Sequence, residues 1–441
     1  MNINIRRFNL VVLFIIFLIT ATFILLYNLG WRYNLKQRSI IKTGVLTLKS
    51  TPRNALIYIN NKDIRKETPA IIANLISGRY QIKLKKTGYY DWQKQIAVYP
   101  SLATIYDNIF LLKEPTGSDK IFNLPADNLV ISPDASGAII VVKYKNYSQL
   151  WFFDLQTWQS KKLYEVKDFE IKTVQWSSHS QNILILENSA NKNNYKIINL
   201  QKTNRTIKLA DIANYSYTNL KWDRSNDYIL YGIDKDVIYK IDLATSSSIQ
   251  IASVPSILDF FVDKNLVYAV SQRSFLYFDI KDPNKIIKIT DLQQSTKQLF
   301  LDEQANLLPV LDQNNQILYL FDTDINLIST IKGVKIAVLS KSGDKLLYYN
   351  DFEIWIYDIR NNKHQMLTRI SSKIKQAQWH PSLAYIIFSH NNTIQAIETD
   401  LYSPNLYDLL AVDVRQFALD KDGKNVLLLT NDGQLERINI F

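Results

Sequence analysis

The chain has few residues that could do chemistry. Its histidines are His179, His364, His380 and His390. None forms an H-x-x-x-H or H-E-x-x-H pair, the spacing that puts two imidazoles on one helix face for a metal. His380 precedes Pro381 at a turn, where a structural role is expected. His380 and His390 stand ten residues apart, across two strands. Cysteine is absent, which excludes a disulfide, a thiolate metal site and a cysteine nucleophile. Asp154, Asp242, Asp279, Asp322 and Asp358 each end an apolar run and look like a ladder of ligands. Asp at a strand end accepts from the next backbone N–H groups and starts a turn, so turns are the expected role. Asp422-Gly423 and Asn431-Asp432-Gly433 lack EF-hand spacing and read as hairpin turns. No G-x-S-x-G, Walker loop or G-x-G-x-x-G occurs. No catalytic, metal-binding or cofactor-binding residue is assigned, and no enzyme activity is expected.

The elements that carry these residues form a repeat. From about Asp119 to Phe441 one pattern recurs: an apolar run, a turn, a second run, a polar gap, then a third run. The turns after the first run fall at Ser132, Ser177, Asp223, Asp263, Asp302, Ser340, His380 and Asp420, a period of about 41. That period is the mark of a β-propeller. The second runs include AIIVVKY from Ala138, NILILEN from Asn182, YIIFSH from Tyr385 and VLLLT from Val426. They are Ile-, Leu- and Val-rich and bounded by turn residues, as buried strands require. The eighth copy has three strands where a blade needs four, and Ile121–Leu124 is expected to supply the fourth. About eight blades are expected, with seven if a weak copy is an insertion.

Residues 10–29, LVVLFIIFLITATFILLYNL, carry no charge and read as a transmembrane helix. A tail of residues 1–9 precedes it and is expected in the cytoplasm. Arg6 and Arg7 flank it on one side, and Trp31 and Tyr33 on the other. The run is longer than a signal-peptide core and ends without a small-x-small site, so an uncleaved anchor is expected. Residues 30–43 read as a linker. Literal positive-inside counting sets Arg6, Arg7 and the amino terminus against Arg32, Lys36, Arg38 and Lys42, which favours the large domain inside. Long domains translocate largely regardless of charge, and an extracytoplasmic domain is expected.

The net charge of +11 is unevenly spread. Residues 1–42 hold six basic groups and no acidic ones, residues 43–113 carry a balance of +7, and the remainder a balance of −2. A nucleic-acid-binding propeller would show a basic face, so no nucleic-acid partner is expected. The basic excess lies beside the apolar helix, where anionic head groups would meet it.

Residues 44–113 read as a small β domain. GVLTLKS from Gly44 and ALIYIN from Ala55 are strands, Asn61–Lys66 a polar turn, and Tyr80–Lys86 a further strand. Ser50-Thr51-Pro52-Arg53-Asn54-Ala55, Glu67-Thr68-Pro69, Asn74-Leu75 before Gly78-Arg79-Tyr80, and Lys86-Thr87-Gly88-Tyr89 resemble the PEGA domain family. Asn54 stands where that family has glycine, and asparagine is the usual substitute at positive φ. The resemblance implies an extracytoplasmic all-β module of the bacterial envelope, without catalytic residues. Tyr58, Tyr80, Tyr89, Tyr90 and Trp92 could form a glycan-binding face, but core and strand roles are expected. Ser132-Pro133-Asp134-Ala135-Ser136-Gly137 resembles the turn of TolB and WD40-like propellers, which implies the fold and no particular partner.

The reading is an all-β protein with one N-terminal transmembrane helix, a PEGA-like domain at 44–113 and a propeller at 119–441. It is expected in the bacterial cytoplasmic membrane as a single-pass protein, touching the lipid bilayer through 10–29. The propeller is expected to hold a protein or glycan partner. The alternatives are an envelope enzyme with its site in the central channel, and a scaffold facing the cytoplasm.

Overall fold

A computed structural model describes residues 3–28, 30–34, 38–189, 192–201, 206–213, 215–301, 307–322, 324–400 and 404–441. Leu29, Lys36, Asp302 and Thr323 lie outside them. The chain divides into two units, Met1–Glu114 with Phe441, and Pro115–Ile440.

The first unit opens with a helix, Ile3–Asn28. Its stretch Leu10–Asn28 has a mean hydropathy of 2.9 and is long and apolar enough to cross a membrane. Thr20 spends its hydroxyl on the carbonyls of Ile16 and Phe17, at 2.8 and 3.0 Å, so that hydroxyl is satisfied within the helix. Gly30, at φ +81°, turns the chain out of the helix, and its N–H donates to Tyr27 O at 3.2 Å.

The stretch read as a linker is partly strand. Trp31–Asn34 pairs antiparallel with Ser39–Lys42, and the second of these runs on without a break to Thr51. The ladder gives partners to backbone groups that the sequence pattern leaves unassigned. Strand Ser39–Thr51 pairs antiparallel with Ala70–Ile76 and parallel with Ala103–Phe110. A second sheet runs Lys62–Glu67, Leu56–Ile59, Gly78–Lys85, Trp92–Val98. Leu46, Leu48, Ile72 and Ile109 of the first sheet pack on Ile57, Ile82, Leu84, Trp92 and Ile96 of the second. The expected polar turn at Asn61–Lys66 is instead a two-residue turn followed by a strand. Asn60 and Asn61 both have positive φ, +48° and +65°, so Ile59 pairs directly with Lys62. Asn54 has φ +62°, as its place in the motif implies.

The second unit holds eight four-stranded antiparallel sheets among the described residues. Blade 1 is Asn128–Ile131, Gly137–Lys143, Tyr147–Asp154, Ser160–Lys167. Blades 2 to 8 start at Glu170, Asn219, Ile257, Gln298, Ile336, Ile374 and Val414 and repeat the same order. Blade 8 takes its fourth strand from Asp119–Phe122, ahead of blade 1. That strand lies two residues earlier than the apolar run Ile121–Leu124. Phe122 faces Leu435 in the core, and Asp119 then meets Arg437 at 2.8 Å.

Second strands are buried along nearly their whole length, as in Gly137–Lys143 and Leu307–Asp312. A neighbouring blade covers each face, which explains continuous apolar runs where a half-exposed strand would alternate. The core is accordingly a ring of clusters shared by adjacent blades. Leu184 and Ile197 of blade 2 meet Leu220, Leu230 and Ile241 of blade 3, and Phe122, Leu427 and Leu435 meet Ile140 and Phe153 where the ring closes.

Candidate functional site

In each blade the order of strands puts two kinds of loop on each face. First-to-second and third-to-fourth connections share one face. Second-to-third connections and the crossings to the next blade share the other.

On the first face the turn aspartates, several serines and His380 make turns and ties between blades. Asp154 Oδ1 accepts from the N–H groups of Gln156 and Thr157, both at 2.8 Å. Asp242 accepts from Ala244, Asp279 from Lys281, Asp322 from Asn326 and Asp358 from Asn361. These backbone bonds lower the Asp154, Asp322 and Asp358 carboxyls below the usual range. The aspartate ladder is thus a set of turns. Burial would raise Asp134, but hydroxyls of Ser132, Ser136 and Ser180 outweigh it and hold its pKa at about 2. Ser180 comes from the next blade. Likewise Ser178 Oγ donates to Asp223 O at 2.8 Å, and His380 Nε2 lies 2.9 Å from Gly423 O. His380 is buried, which lowers its pKa, and its neutral ring accepts from Ser382 N at 3.2 Å through Nδ1.

Inner strands are tied across blades too. Asp259 is buried and accepts from Asn219 at 2.7 Å, Lys221 at 2.9 Å and Phe300 N at 2.8 Å, linking blades 3, 4 and 5. Gln376 spans to Phe417, and Gln416 to Leu129 O at 2.6 Å. Asn219, Asp259, Gln376 and Gln416 each stand four residues before a repeat marker. Their periodic polarity is visible in the sequence; the neighbouring backbone they hold is not.

The second face is different. At or just before the start of inner strands stand Asp127, Lys172, Lys297, Lys335, Lys375 and Arg415. Lys335 pairs with Asp351 at 2.6 Å, Lys375 with Asp413 at 3.0 Å, and Lys143 with Asp127 at 2.8 Å and with Glu170. The bond from Lys335 lowers the Asp351 carboxyl. Two grooves open here. One, of about 460 Å³, lies between blades 1 and 2 and is lined by Lys143–Ser148, Asp168, Glu170 and Asn188. Tyr144 and Tyr147 stack in it at 4.4 Å between centroids. The other, of about 270 Å³, is lined by Gln316, Lys335, Asp351, Phe352, Glu353 and Arg369. Phe352 is exposed.

A polar chain on this face crosses blade 7. Ser372 Oγ is 2.7 Å from His390 Nδ1, and His390 Nε2 is 2.9 Å from Gln395 Oε1. Gln395 donates its amide to Asp408 at 2.6 Å. No motif announces it, because Ser372 and His390 meet only through the blade crossing. The remaining histidines are separate: His179 contacts Asp227 at 3.3 Å, and His364 stacks on Tyr357 at 4.4 Å. His380 follows strand Ile374–Trp379 and His390 ends strand Tyr385–His390, so they lie on opposite faces. Among the described residues no group of three His, Asp or Glu side chains could hold a metal ion.

In the first unit Trp92 is a core residue, and Tyr80 and Tyr89 pack against that core. Tyr58 lies partly buried under Lys85, whose Nζ is 5.8 Å from its ring. A groove of about 590 Å³ is lined by Asn54, Leu56, Glu67, Lys85, Lys86, Tyr89 and Asp91.

Residues 43–107 match the family model of the PEGA domain. No curated protein matches the chain. Among solved structures, the C-terminal WD40 domain of Sif2 is similar at TM-score 0.53 and 11% identity, over 74% of this chain and 98% of that one. A structure described as the eukaryotic initiation factor is similar at TM-score 0.53 and 13% identity, over 75% and 91%. At these identities the likeness is one of fold: a WD40-like propeller behind a PEGA domain.

Proposed function

We propose that this protein is a membrane-anchored binding or scaffolding protein of the bacterial envelope. Helix Leu10–Asn28 serves as the anchor, the tail before it is cytoplasmic, and both β units are extracytoplasmic. The propeller presents its second loop face to a protein or glycan partner. One observation carries this reading. Turn aspartates, serines and His380 of the first face make turns and blade ties, while the second face carries a charged rim and two open grooves, one of them holding a stacked tyrosine pair. An aromatic anchor within a polar rim is how binding surfaces are built. The engagement of His179, His364 and His380 in structural contacts supports a binder without catalysis.

The test is a photo-crosslinking amino acid placed at Asn146 on the second face and, separately, at Thr245 on the first. Adducts from Asn146 that fade in a Tyr147→Ala background, with none from Thr245, support the reading. Equal adducts from both positions would remove it.

A second reading, an enzyme, draws on the chain Ser372–His390–Gln395–Asp408. A serine paired with histidine can act as a nucleophile. Here the imidazole is backed by an amide, which cannot stabilise an imidazolium as a carboxylate does. That favours a structural role. Labelling by a fluorophosphonate probe, lost in Ser372→Ala, would favour the enzyme.

A further inference from the structure

The end of the first helix and the PEGA sheet are joined at Thr43. Thr43 N donates to Gly30 O at 2.8 Å, and its hydroxyl donates to the same oxygen at 2.9 Å. Ser101 N donates to Thr43 O at 2.9 Å, and Thr43 pairs with Ile76 across the sheet. Helix exit, the turn Tyr99–Leu102 and the end of strand Ala70–Ile76 therefore meet on one residue. Arg32 reinforces the join. Its guanidinium lies 3.5 Å from the centre of the Tyr27 ring, donates to Tyr27 O at 2.6 Å, and reaches Asn74 Oδ1 at 2.7 Å.

This pole of the unit exposes apolar side chains. Tyr99 is 58% exposed, Leu102 60% and Ile76 43%. Tyr33 and Ile40 face each other across the hairpin and are exposed as well. Lys42 and Arg38 stand among them, and Lys42 Nζ lies 4.9 Å from the centre of the Trp31 ring. No acidic residue occurs before Asp63. Tyrosine, tryptophan, branched aliphatics and cations beside an apolar helix are the residues found where hydrocarbon meets head groups. The helix end fixes where that boundary lies, and the join at Thr43 holds the pole beside it.

We propose that this pole is a second lipid contact, resting on the reading of the helix as an anchor. Tyr99, Leu102 and Ile76, with Tyr33 and Ile40, sit in the interfacial layer of the bilayer the helix crosses, and Lys42 and Arg38 face its anionic head groups. The PEGA unit is seated on the membrane surface and does not swing on a tether.

The chain has no cysteine, so single thiols are specific reporters. Full-length protein is reconstituted in vesicles of phosphatidylcholine and phosphatidylglycerol, with an environment-sensitive fluorophore at Leu102→Cys, Ile76→Cys, Phe14→Cys or Thr245→Cys. Quenching by lipids spin-labelled at the head group is read for each. The expected result is quenching at Leu102 and Ile76 severalfold above that at Thr245, together with quenching at Phe14 by deep spin labels. Removing phosphatidylglycerol, or Lys42→Glu, reduces the Leu102 and Ile76 signals. Water-like signals at Leu102 and Ile76 with Phe14 quenched would overturn the proposal and leave the anchor standing. Water-like signals at all positions would remove the anchor as well. Quenching at Leu102 that grows with protein density at fixed lipid composition would assign the pole to a second copy, which also overturns it.

Discussion

Gly423 offers a sharp test of how the propeller holds its last blades together. It sits at φ +70°, and a Cβ there would lie 2.3 Å from His380 Nε2 and 2.8 Å from Pro381 Cδ. The imidazole is buried and donates to Gly423 O, so it has no free space to enter. Gly423→Ala therefore combines three penalties. A left-handed backbone costs a non-glycine residue about 1–2 kcal/mol. Overpacking adds about 1–3 kcal/mol, and losing the bond to His380 about 1 kcal/mol. The expected loss is about 4 kcal/mol on these scales. Gly333 is the control: its φ is +73°, but nothing lies within 4 Å of its added Cβ. Gly333→Ala should cost only the backbone term, about 1 kcal/mol. Six of the eight tryptophans lie between Pro115 and Ile440, so fluorescence in a urea titration follows the propeller. Adding His380→Ala to Gly423→Ala should recover more than about 1 kcal/mol over additivity. Equal costs for the two glycines, or additivity in the double variant, would refute the reasoning.

Other consequences follow from the same geometry. Asp259→Ala strands the Phe300 N–H and leaves Lys221 unpaired, and should lower propeller stability by about 3 kcal/mol in the same titration. Phe122→Ala empties the core where the ring closes and should cost about 3–5 kcal/mol, with faster proteolysis at the amino-terminal edge of the propeller. Burial lowers the His380 pKa, only partly offset by its bond to Gly423 O and by Asp420. Below an unfolded value of about 6.5 the unfolded chain then binds more protons, so stability falls as pH falls below that point. His364, lowered by burial as well, adds a slope of the same sign. Denaturation midpoints of His380→Gln should depend less on pH below about 6.5 than those of the wild type.

The propeller was legible because each blade repeats one physical task. A second strand covered on both faces must be continuously apolar, and Ala138–Val142 or Val426–Leu429 can be read as such without a structure. The turn aspartates were legible for a similar reason: Asp154 or Asp242 needs only the next few backbone N–H groups. Hairpins with weak patterns were not. Trp31–Asn34 and Lys62–Glu67 are polar or short, and only their partners in the ladder make them strands. The second loop face was least legible of all. Its grooves gather Tyr144, Asp168 and Asn188, or Gln316, Lys335 and Phe352, from loops whose nearness depends on how neighbouring blades pack. Ser372 and His390 meet for that reason, and neither carries a local signal of it.

In the function proposed above, the helix anchors the chain and the propeller faces away from the cytoplasm. A single thiol at Lys145, on the second loop face, tests it in intact bacterial cells with a maleimide that cannot cross membranes. Labelling of Lys145→Cys before lysis, on protein that stays with the membrane fraction, is the expected result. Labelling only after lysis would contradict it and put the propeller in the cytoplasm.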